Sequence, residues 1–337
     1  MAQLLDADNS DSLAAADEAR SIISHLKIRP DLPLAILAWF VLTYVAGHRL
    51  LGHDEDYTRY LSYYRGISDQ IDFSDTRYFP GFVALAWFCK SILGFTFASF
   101  LMLIAGCSLA TKIVLFRRRP LFWFILLAYI PSLYLTQEMT QIRAALGISF
   151  AYLAIDFKDG QKPITCVILF LLSLSMHSST IALLPFFIMP LKWTESRRAL
   201  TIISIAVGLF AAIAGQILTY FSVLDPLISY YVEGFVGGIT IFSALNLCVI
   251  LISLMGIFRF WRLLPTDRLQ VMMASTGFVL FLATTSAPPI AHRLIEVFLL
   301  SVFLIASRLG GRLALAATAL LFVASAYLGY RQSDYNF

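Results

Sequence analysis

Long apolar runs alternate with short polar segments along most of the chain. Eleven of these runs suit membrane-spanning helices, which need about 20 predominantly apolar residues. They lie at 32–50, 95–116, 121–135, 138–155, 164–176, 180–191, 200–221, 239–260, 269–286, 290–306 and 313–330. The runs at 164–176 and 180–191 are a pair of short helices joined at His177, and the alternative is that they do not both cross fully. A further run at 79–93 is short and has Lys90 near its end. We expect a re-entrant or interfacial helix there, with a shallow full span as the alternative.

The composition agrees with this pattern. Of the 337 residues, 59% are hydrophobic and 14% are charged, and the mean hydropathy is +0.78. We therefore predict an all-α polytopic membrane protein with about 11 transmembrane helices, which contact membrane lipids. The transmembrane domain is expected at 32–330, between a polar amino-terminal segment at 1–31 and a tail at 331–337. The net charge of +4 is too small to indicate a nucleic-acid partner.

Lysines and arginines concentrate in alternate loops. With strict alternation, one side of the membrane receives Arg117, Arg118, Arg119, Lys158, Lys162, Lys192, Arg197, Arg198, Arg259, Arg262, Arg268, Arg308 and Arg312. The positive-inside rule makes that side cytoplasmic. The opposite loops are then external; they include 222–238 and, if 79–93 does not cross the membrane, 51–78.

The stretch 136–147, with the sequence TQEMTQIRAALG, is polar where a membrane helix should begin. An Arg or Glu in a bilayer core costs roughly 2.5 to 3.5 kcal/mol on insertion scales, so such residues are usually functional. The guanidinium of Arg143 offers a fixed fork of donors that suits phosphate. Gln137 and Gln141 are four residues apart and should share a face. The alternative is an Arg143 side chain that reaches the membrane surface and pairs with Glu138 or a lipid headgroup.

Two further polar positions fall on the same predicted external side. His177 lies in MHSST between two short apolar runs, where a neutral imidazole could act as a base or a hydrogen-bond donor; the alternative is a purely structural histidine. In APPIAHRLIE, His292 and Arg293 are four and three residues before Glu296, so these side chains can interact on one side of a helix. The alternative there is an Arg293–Glu296 ion pair at the start of a helix, in which the two side chains satisfy each other and bind no ligand.

The loop at 51–78 is acidic and rich in tyrosine. Asp54, Glu55 and Asp56 precede Tyr57 and Tyr60. Carboxylates here could take a proton from a hydroxyl or hold a divalent cation, although at most two of three adjacent acids can act together. A solvated loop is the alternative. The four cysteines lie in apolar runs without metal-ligand spacing, so we expect no metal and no cofactor.

Four stretches resemble, in order, the EpsG/Wzy-type family of bacterial polysaccharide polymerases. They are DEDYTRY at 54–60, YFPGFVAL at 78–85, QIRAALGISFAYLA at 141–154 and MHSSTIALLPFF at 176–187. The later HRLIE at 292–296 is similar to the family's Arg-containing segment near the carboxy terminus. Two features depart from the family pattern. Tyr78 and Phe79 stand where an acidic residue is frequent, and a polar segment precedes the first span where the family often has another span.

The resemblance implies a glycosyltransferase-C-like fold and a polymerase of undecaprenyl-pyrophosphate-linked oligosaccharides at the outer face of the bacterial inner membrane. It implies no cofactor and leaves room for a partner protein that sets chain length. In the resulting hypothesis Arg143 and Arg293 hold the donor pyrophosphate, and Asp54, Asp56 or His177 deprotonates the acceptor hydroxyl. The expected substrate contacts are Tyr57, Tyr60, Gln137, Gln141, His292 and Glu296.

Two other functions remain open from the sequence. The first is a glycosyltransferase that uses a polyprenyl-phosphate sugar and a metal at 54–56. The second is a transporter or flippase for the lipid-linked unit, with Arg143 and Glu138 in a gated polar pathway. The absence of an evident inverted repeat in the sequence disfavours the transporter.

Overall fold

The computed structural model describes residues 32–51, 55–74, 78–158, 162–224, 243–285 and 287–333. Every regular element in these ranges is helical, which confirms the predicted all-α class. The predicted amino-terminal segment at 1–31, most of the loop at 222–238 and the candidate Asp54 lie outside the described residues.

The α-helices are numbered in chain order. They are α1 Leu32–His48, α2 Glu55–Gly66, α3 Pro80–Trp87, α4 Phe97–Arg117, α5 Phe122–Tyr129, α6 Ile142–Phe157, α7 Pro163–Met176, α8 Leu184–Ile188, α9 Arg197–Leu224, α10 Ala244–Phe258, α11 Pro265–Ala283, α12 Pro288–Ala306 and α13 Gly311–Ser333. Two π-helical segments continue α3 and α5, namely Phe88–Ile92 and Ile130–Glu138. The 3-10 helices are Ser178–Leu183, Leu191–Glu195 and Phe260–Arg262.

Among the described helices, α4 is long and apolar enough to cross a membrane by itself. It has 21 residues and a mean hydropathy of 2.0. The shorter apolar helices have 10–17 residues and are Leu32–His48, Pro80–Ile92, Pro163–Met176, Ser178–Ile188, Ala244–Phe258 and Gly311–Tyr327. Apolar helices of this kind are consistent with a helical membrane protein, while the count of eleven spans stays a prediction.

The main hydrophobic core joins α6 to α12. The buried hydroxyl of Tyr152 on α6 donates to the carbonyl of Val297 at 3.1 Å and shares a hydrogen bond of 2.7 Å with Ser301. These bonds satisfy polar groups that would be costly to bury alone. They fix the helix that carries Arg293 against the helix that carries Arg143.

Helix α6 links two polar ends of the molecule. At its carboxy-terminal end, Asp156 binds Arg118, and Arg119 binds Asp267, which lies 3.6 Å from Arg308. We call this group the Asp267 end. Arg143 lies 13 residues before Asp156, which is roughly 20 Å along a helix. The group around Arg143 is therefore the opposite end, called the Arg143 end below.

Two predicted helix boundaries are wrong, and prolines explain both. The run at 138–155 was expected to start a helix at Glu138, but α5 continues to Glu138 as a π-helix and α6 begins at Ile142. Pro131 lacks the N–H of a regular α-helical bond, so the backbone widens there. The run at 180–191 is a 3-10 helix followed by the short α8, where Pro185 and Pro190 break the pattern.

The short segment at 79–93 has both ends beside α2. Tyr78, just before it, packs against Tyr63, with ring centroids 4.0 Å apart. Near its other end, the Nζ of Lys90 donates to the carbonyls of Arg65 and Ile67, both at 2.7 Å. The segment therefore packs against α2 near both of its ends, and its re-entrant or interfacial character stays a prediction.

Candidate active site

Arg143 is the second residue of α6 and is surrounded by aromatic rings. Its Nε donates a hydrogen bond of 3.0 Å to the hydroxyl of Tyr60. Its guanidinium carbon lies 4.8 Å from the ring centroid of Tyr78 and 5.7 Å from that of Phe82. Aromatic faces attract a cation. The three rings therefore fix the direction of the guanidinium fork.

Tyr60 is suited to accept this hydrogen bond. It lies on α2, outside the predicted spans, and is only 5% exposed. Burial raises the pKa of its hydroxyl above 10.0, and the charge and hydrogen bond of Arg143 offset part of that rise. The hydroxyl consequently stays protonated at neutral pH, and its oxygen is the acceptor for Arg143.

A cavity of about 810 Å³ opens beside Arg143, between α2, the loop at 67–74 and α3. Hydroxyl, amide, carboxylate and aromatic side chains line it together, among them Asp56, Ser62, Tyr63, Gln70, Asp72 and Trp87. Its size lies within the range of small-molecule sites. The lining can form hydrogen bonds in many directions and also offers flat apolar surfaces.

Hydrogen bonds from α3 and its π-helical extension hold the wall of this cavity. The indole nitrogen of Trp87 donates to the carbonyl of Asp69 at 3.0 Å. The hydroxyl of Ser91 donates to the carbonyl of Ser68 at 3.2 Å. Together with the two bonds of Lys90, these contacts fix the loop at 67–74, which has no regular structure of its own.

Two glycines allow the elements of the site to approach closely. A Cβ at Gly81 would lie 2.2 Å from the Oγ of Ser175, so α3 can contact α7 only because this residue is glycine. A Cβ at Gly147 would lie 3.3 Å from the Cβ of His177. Gly147 is one helical turn after Arg143, so His177 lies on the same side of α6 as the arginine.

His177 lies in the turn between α7 and the next 3-10 helix. Its Nδ1 is buried and has no hydrogen-bond partner in the described part of the chain. Burial, followed by the charges of Arg143 and Arg293, lowers its pKa from 6.5 to about 4. The ring is therefore neutral at physiological pH and able to accept a proton. Both arginines therefore lie within electrostatic range of His177.

Arg293 and Glu296 interact as their spacing predicts. An NH1 nitrogen of Arg293 lies 3.8 Å from a carboxylate oxygen of Glu296, and the Arg293 side chain is 44% exposed. The amide of Gln141 donates to the other Glu296 oxygen at 3.1 Å. Glu296 thus connects the start of α6 to Arg293. His292 is exposed, with its ring 6.2 Å from that of Phe281.

The acidic stretch is only partly described. Asp56 lines the cavity and lies 3.5 Å from Arg59. Tyr57 packs instead against Phe97, with ring centroids 5.4 Å apart, while Tyr60 lines the cavity. No group of three metal-ligating side chains occurs among the described residues, which leave out Asp54 and the side chain of Glu55.

Comparison with protein families identifies the chain. The model of the EpsG family matches residues 33–334, nearly the whole sequence. The chain belongs to the EpsG family. This membership supports membrane association and a role in polysaccharide biosynthesis. No curated protein and no solved structure matches the sequence significantly.

The stretches that resemble the EpsG family come together at the Arg143 end. Tyr60 of the first stretch bonds to Arg143 of the third. Gly81 of the second contacts Ser175, just before the fourth, and Gly147 contacts His177. The sequence separates these residues widely, so their convergence reflects the fold and not local spacing. His177 lies on the same side of α6 as Arg143, and Glu296 joins Arg293 to the start of α6; the joint role of the three residues in one site stays a prediction.

Gln137 does not lie where a sugar contact requires it. Its side chain is fully buried, its oxygen accepts from Lys112 at 2.7 Å, and its amide donates to the Glu296 carbonyl at 3.5 Å. The expected contact with substrate is therefore wrong for this structure. The suggested Arg143–Glu138 pair is also wrong, because Lys112 lies 2.5 Å from the Glu138 carboxylate.

Sequence reasoning missed the buried polar network that Lys112 organises. Lys112 on α4 is 0% exposed and bonds to Tyr129, Gln137 and Glu138. The hydroxyl of Ser108, one turn earlier, donates to the same Glu138 oxygen at 2.7 Å. The available signal was a lysine inside a 21-residue apolar helix, since an ionisable residue there needs a partner.

Arg49 was also missed. It is 3% exposed, and its NH1 donates to the backbone carbonyl of Glu138 at 3.3 Å. Its φ of 52° is in the left-handed region, which is unusual for a residue with a side chain. Arg49 and Lys112 thus hold both the backbone and the side chain of Glu138, just before α6 begins.

Proposed function

We propose that this protein is a polymerase that joins undecaprenyl-pyrophosphate-linked oligosaccharide units into a surface polysaccharide. The observation that carries the proposal is the position of Arg143 on the wall of the polar and aromatic cavity. Its direction is fixed by Tyr60 and Tyr78, and the charges of Arg143 and Arg293 act together on His177. A diphosphate needs two such cationic groups, and the sugars attached to it need such a cavity.

Arg143 and Arg293 bind the diphosphate of the donor in this mechanism. Guanidinium groups form paired hydrogen bonds to phosphate oxygens, which are stronger than neutral hydrogen bonds. Negative charge grows on the diphosphate as its bond to the sugar breaks. Donors that already point at that position stabilise the transition state more than the ground state.

The cavity beside Arg143 binds sugar residues. A sugar ring has apolar faces and a rim of hydroxyl groups, so it suits a lining that combines rings with polar side chains. Tyr63 and Trp87 supply rings, while Asp56, Gln70 and Asp72 supply acceptors. A small apolar substrate would displace water from these polar groups and offer no hydrogen bonds in its place, which is costly.

The chemical step transfers a sugar from a phosphate oxygen to a hydroxyl oxygen. The acceptor hydroxyl attacks the anomeric carbon of the donor while its proton passes to a base. The bond between that carbon and the carrier diphosphate breaks, and the diphosphate keeps the electron pair. Neutral His177 and the carboxylate of Asp56 are the described candidates for the base, and Asp54 remains the third.

Membership of the EpsG family and the loop charges support a location in the bacterial inner membrane with the Arg143 end external. The lipid-linked unit would then reach the site from the outer leaflet. A partner that sets chain length fits the same scheme.

Incubation of the purified protein with one lipid-linked oligosaccharide tests the function. We expect a ladder of products that differ by whole repeat units and that form in EDTA. Addition of a single sugar with loss of activity in EDTA would identify a metal-dependent glycosyltransferase. Movement of the unit across liposomes without bond formation would identify a transporter.

A further inference from the structure

A second groove lies away from the cavity, between α9, the end of α10 and α11. Its volume is about 380 Å³. Apolar side chains form most of its walls, including Leu200, Ile203, Val207, Val271 and Val279. At one end it reaches Trp261, whose side chain is 46% exposed. Nothing in the proposed transfer reaction uses this groove.

Two arginines flank Trp261 at this end. The guanidinium carbons of Arg197 and Arg268 each lie 5.4 Å from a ring centroid of Trp261. Arg268 is further fixed by hydrogen bonds of 3.0 Å to the carbonyls of Phe260 and Trp261. Neither arginine forms an ion pair within the described part of the chain. The mouth of the groove is therefore cationic, with guanidinium groups held in place.

Polarity decreases along the groove in the same way on two helices. On α9, Arg197 is followed by Ser204, and on α11, Arg268 is followed by Ser275, both seven residues later. Seven residues are two helical turns, or roughly 10 Å. The Ser275 hydroxyl is buried and has no hydrogen-bond partner in the described residues. Beyond these serines Thr276 is the last polar group, and the lining that follows it is apolar, with Val207 and Val279.

This order matches the profile of a phospholipid: a charged phosphate, then ester carbonyls, then an acyl chain. We propose that the groove binds one anionic phospholipid. Its phosphate lies at Arg197 and Arg268, an ester oxygen accepts a hydrogen bond from Ser275, and an acyl chain lies along Val207 and Val279. The negative charge of the lipid complements the cationic mouth, which a zwitterionic lipid would not do as well.

The lipid is distinct from the polymerase substrate. The mouth is at the Asp267 end, because Asp267 directly precedes Arg268 and binds Arg119. The proposed diphosphate site at Arg143 lies at the other end of α6. One lipid cannot place its phosphate at both ends, so this site stands or falls independently of the proposed function.

Native mass spectrometry of the full protein in detergent, with added phosphatidylglycerol or phosphatidylcholine, tests the proposal. We expect one tightly retained phosphatidylglycerol. Arg197→Gln and Arg268→Gln should each weaken its binding roughly fivefold, in line with about 1 kcal/mol per arginine at a lipid surface. Arg198→Gln is the matched control, since Arg198 is adjacent to Arg197 but is not one of the two arginines over the Trp261 ring.

A second variant tests the acyl-chain part. Gly208 lines the groove, and a Cβ there meets no atom within 4 Å. Gly208→Leu should therefore fold normally, fill the groove and displace the lipid. Equal weakening by Arg198→Gln, equal retention of phosphatidylcholine, or full retention by Gly208→Leu would overturn the proposal. So would retention of a polyprenyl phosphate in preference to phosphatidylglycerol.

Discussion

The Nε of Arg143 donates a hydrogen bond of 3.0 Å to the hydroxyl of Tyr60, which lies 83 residues earlier in the chain. This bond joins α6 to α2, the helix that forms one wall of the cavity. It sets the direction of the charge that we assign to the donor diphosphate. The position of Tyr60 should therefore matter for catalysis more than for folding.

Tyr60→Phe removes this bond and keeps the ring beside Arg143. We expect kcat/KM for polymerisation to fall about 10- to 150-fold, since a hydrogen bond to a charged group contributes about 1.5 to 3 kcal/mol. Tyr64→Phe is the control, because the Tyr64 hydroxyl bonds to the Phe95 carbonyl at 2.9 Å and not to Arg143. An equal loss of activity in both variants would show that only packing is involved.

Lys112→Met should destabilise the protein strongly. It leaves the Glu138 carboxylate buried without its cation, which typically costs about 3 to 5 kcal/mol. Adding Glu138→Gln removes the uncompensated charge, so the double variant should recover most of the loss. Thermal unfolding in detergent measures the series, with exposed Lys192→Met as the control. Strictly additive effects would contradict a coupled pair.

Gly81→Ala should disrupt the contact between α3 and α7. The added Cβ would overlap Ser175, and overpacking of this kind typically costs about 1 to 3 kcal/mol. Gly66→Ala is the matched control for Gly81→Ala, since a Cβ at Gly66 would meet no atom within 4 Å. Ser175→Gly should partly rescue Gly81→Ala because it removes the two nearest side-chain atoms. Rescue is measured as thermal stability, and its absence would exclude this contact as the cause.

The lowered pKa of His177 predicts how the stability of the protein depends on pH. Its pKa is about 4 in the folded protein and 6.5 in the unfolded chain, so the unfolded state binds more protons between these values. Stability due to this residue is therefore complete above pH 6.5 and is lost as the pH falls toward 4. The wild-type melting temperature should drop more steeply than that of His177→Gln over this range. If the melting temperatures of wild type and His177→Gln fell in parallel with pH, His177 would lie in a solvated environment.

Polarity at helix ends was sufficient to predict the grouping of Arg143, His177 and Arg293. Strict alternation of spans places all three at one end, and the packing of α6, α7 and α12 brings them together. The paired side chains of Arg293 and Glu296 also followed from spacing alone. These features depend on helix direction and periodicity, which a sequence carries directly.

The path of the chain from 130 to 141 could not be predicted in the same way. The π-helix after Pro131 moves Gln137 and Glu138 from the start of one helix to the end of the previous one. Their partner Lys112 comes from a distant helix, so no local pattern reveals it.

Polymerisation by Arg143 variants tests the central claim most directly. Purified wild type, Arg143→Ala, Arg143→Lys and the exposed control Arg65→Ala would be given the same lipid-linked oligosaccharide, and the rate of repeat addition measured. The account predicts losses of about 100-fold or more for Arg143→Ala, a large loss for Arg143→Lys because its amine lacks the planar fork, and an unchanged rate for Arg65→Ala. A folded Arg143→Ala variant that polymerises at the wild-type rate would contradict it.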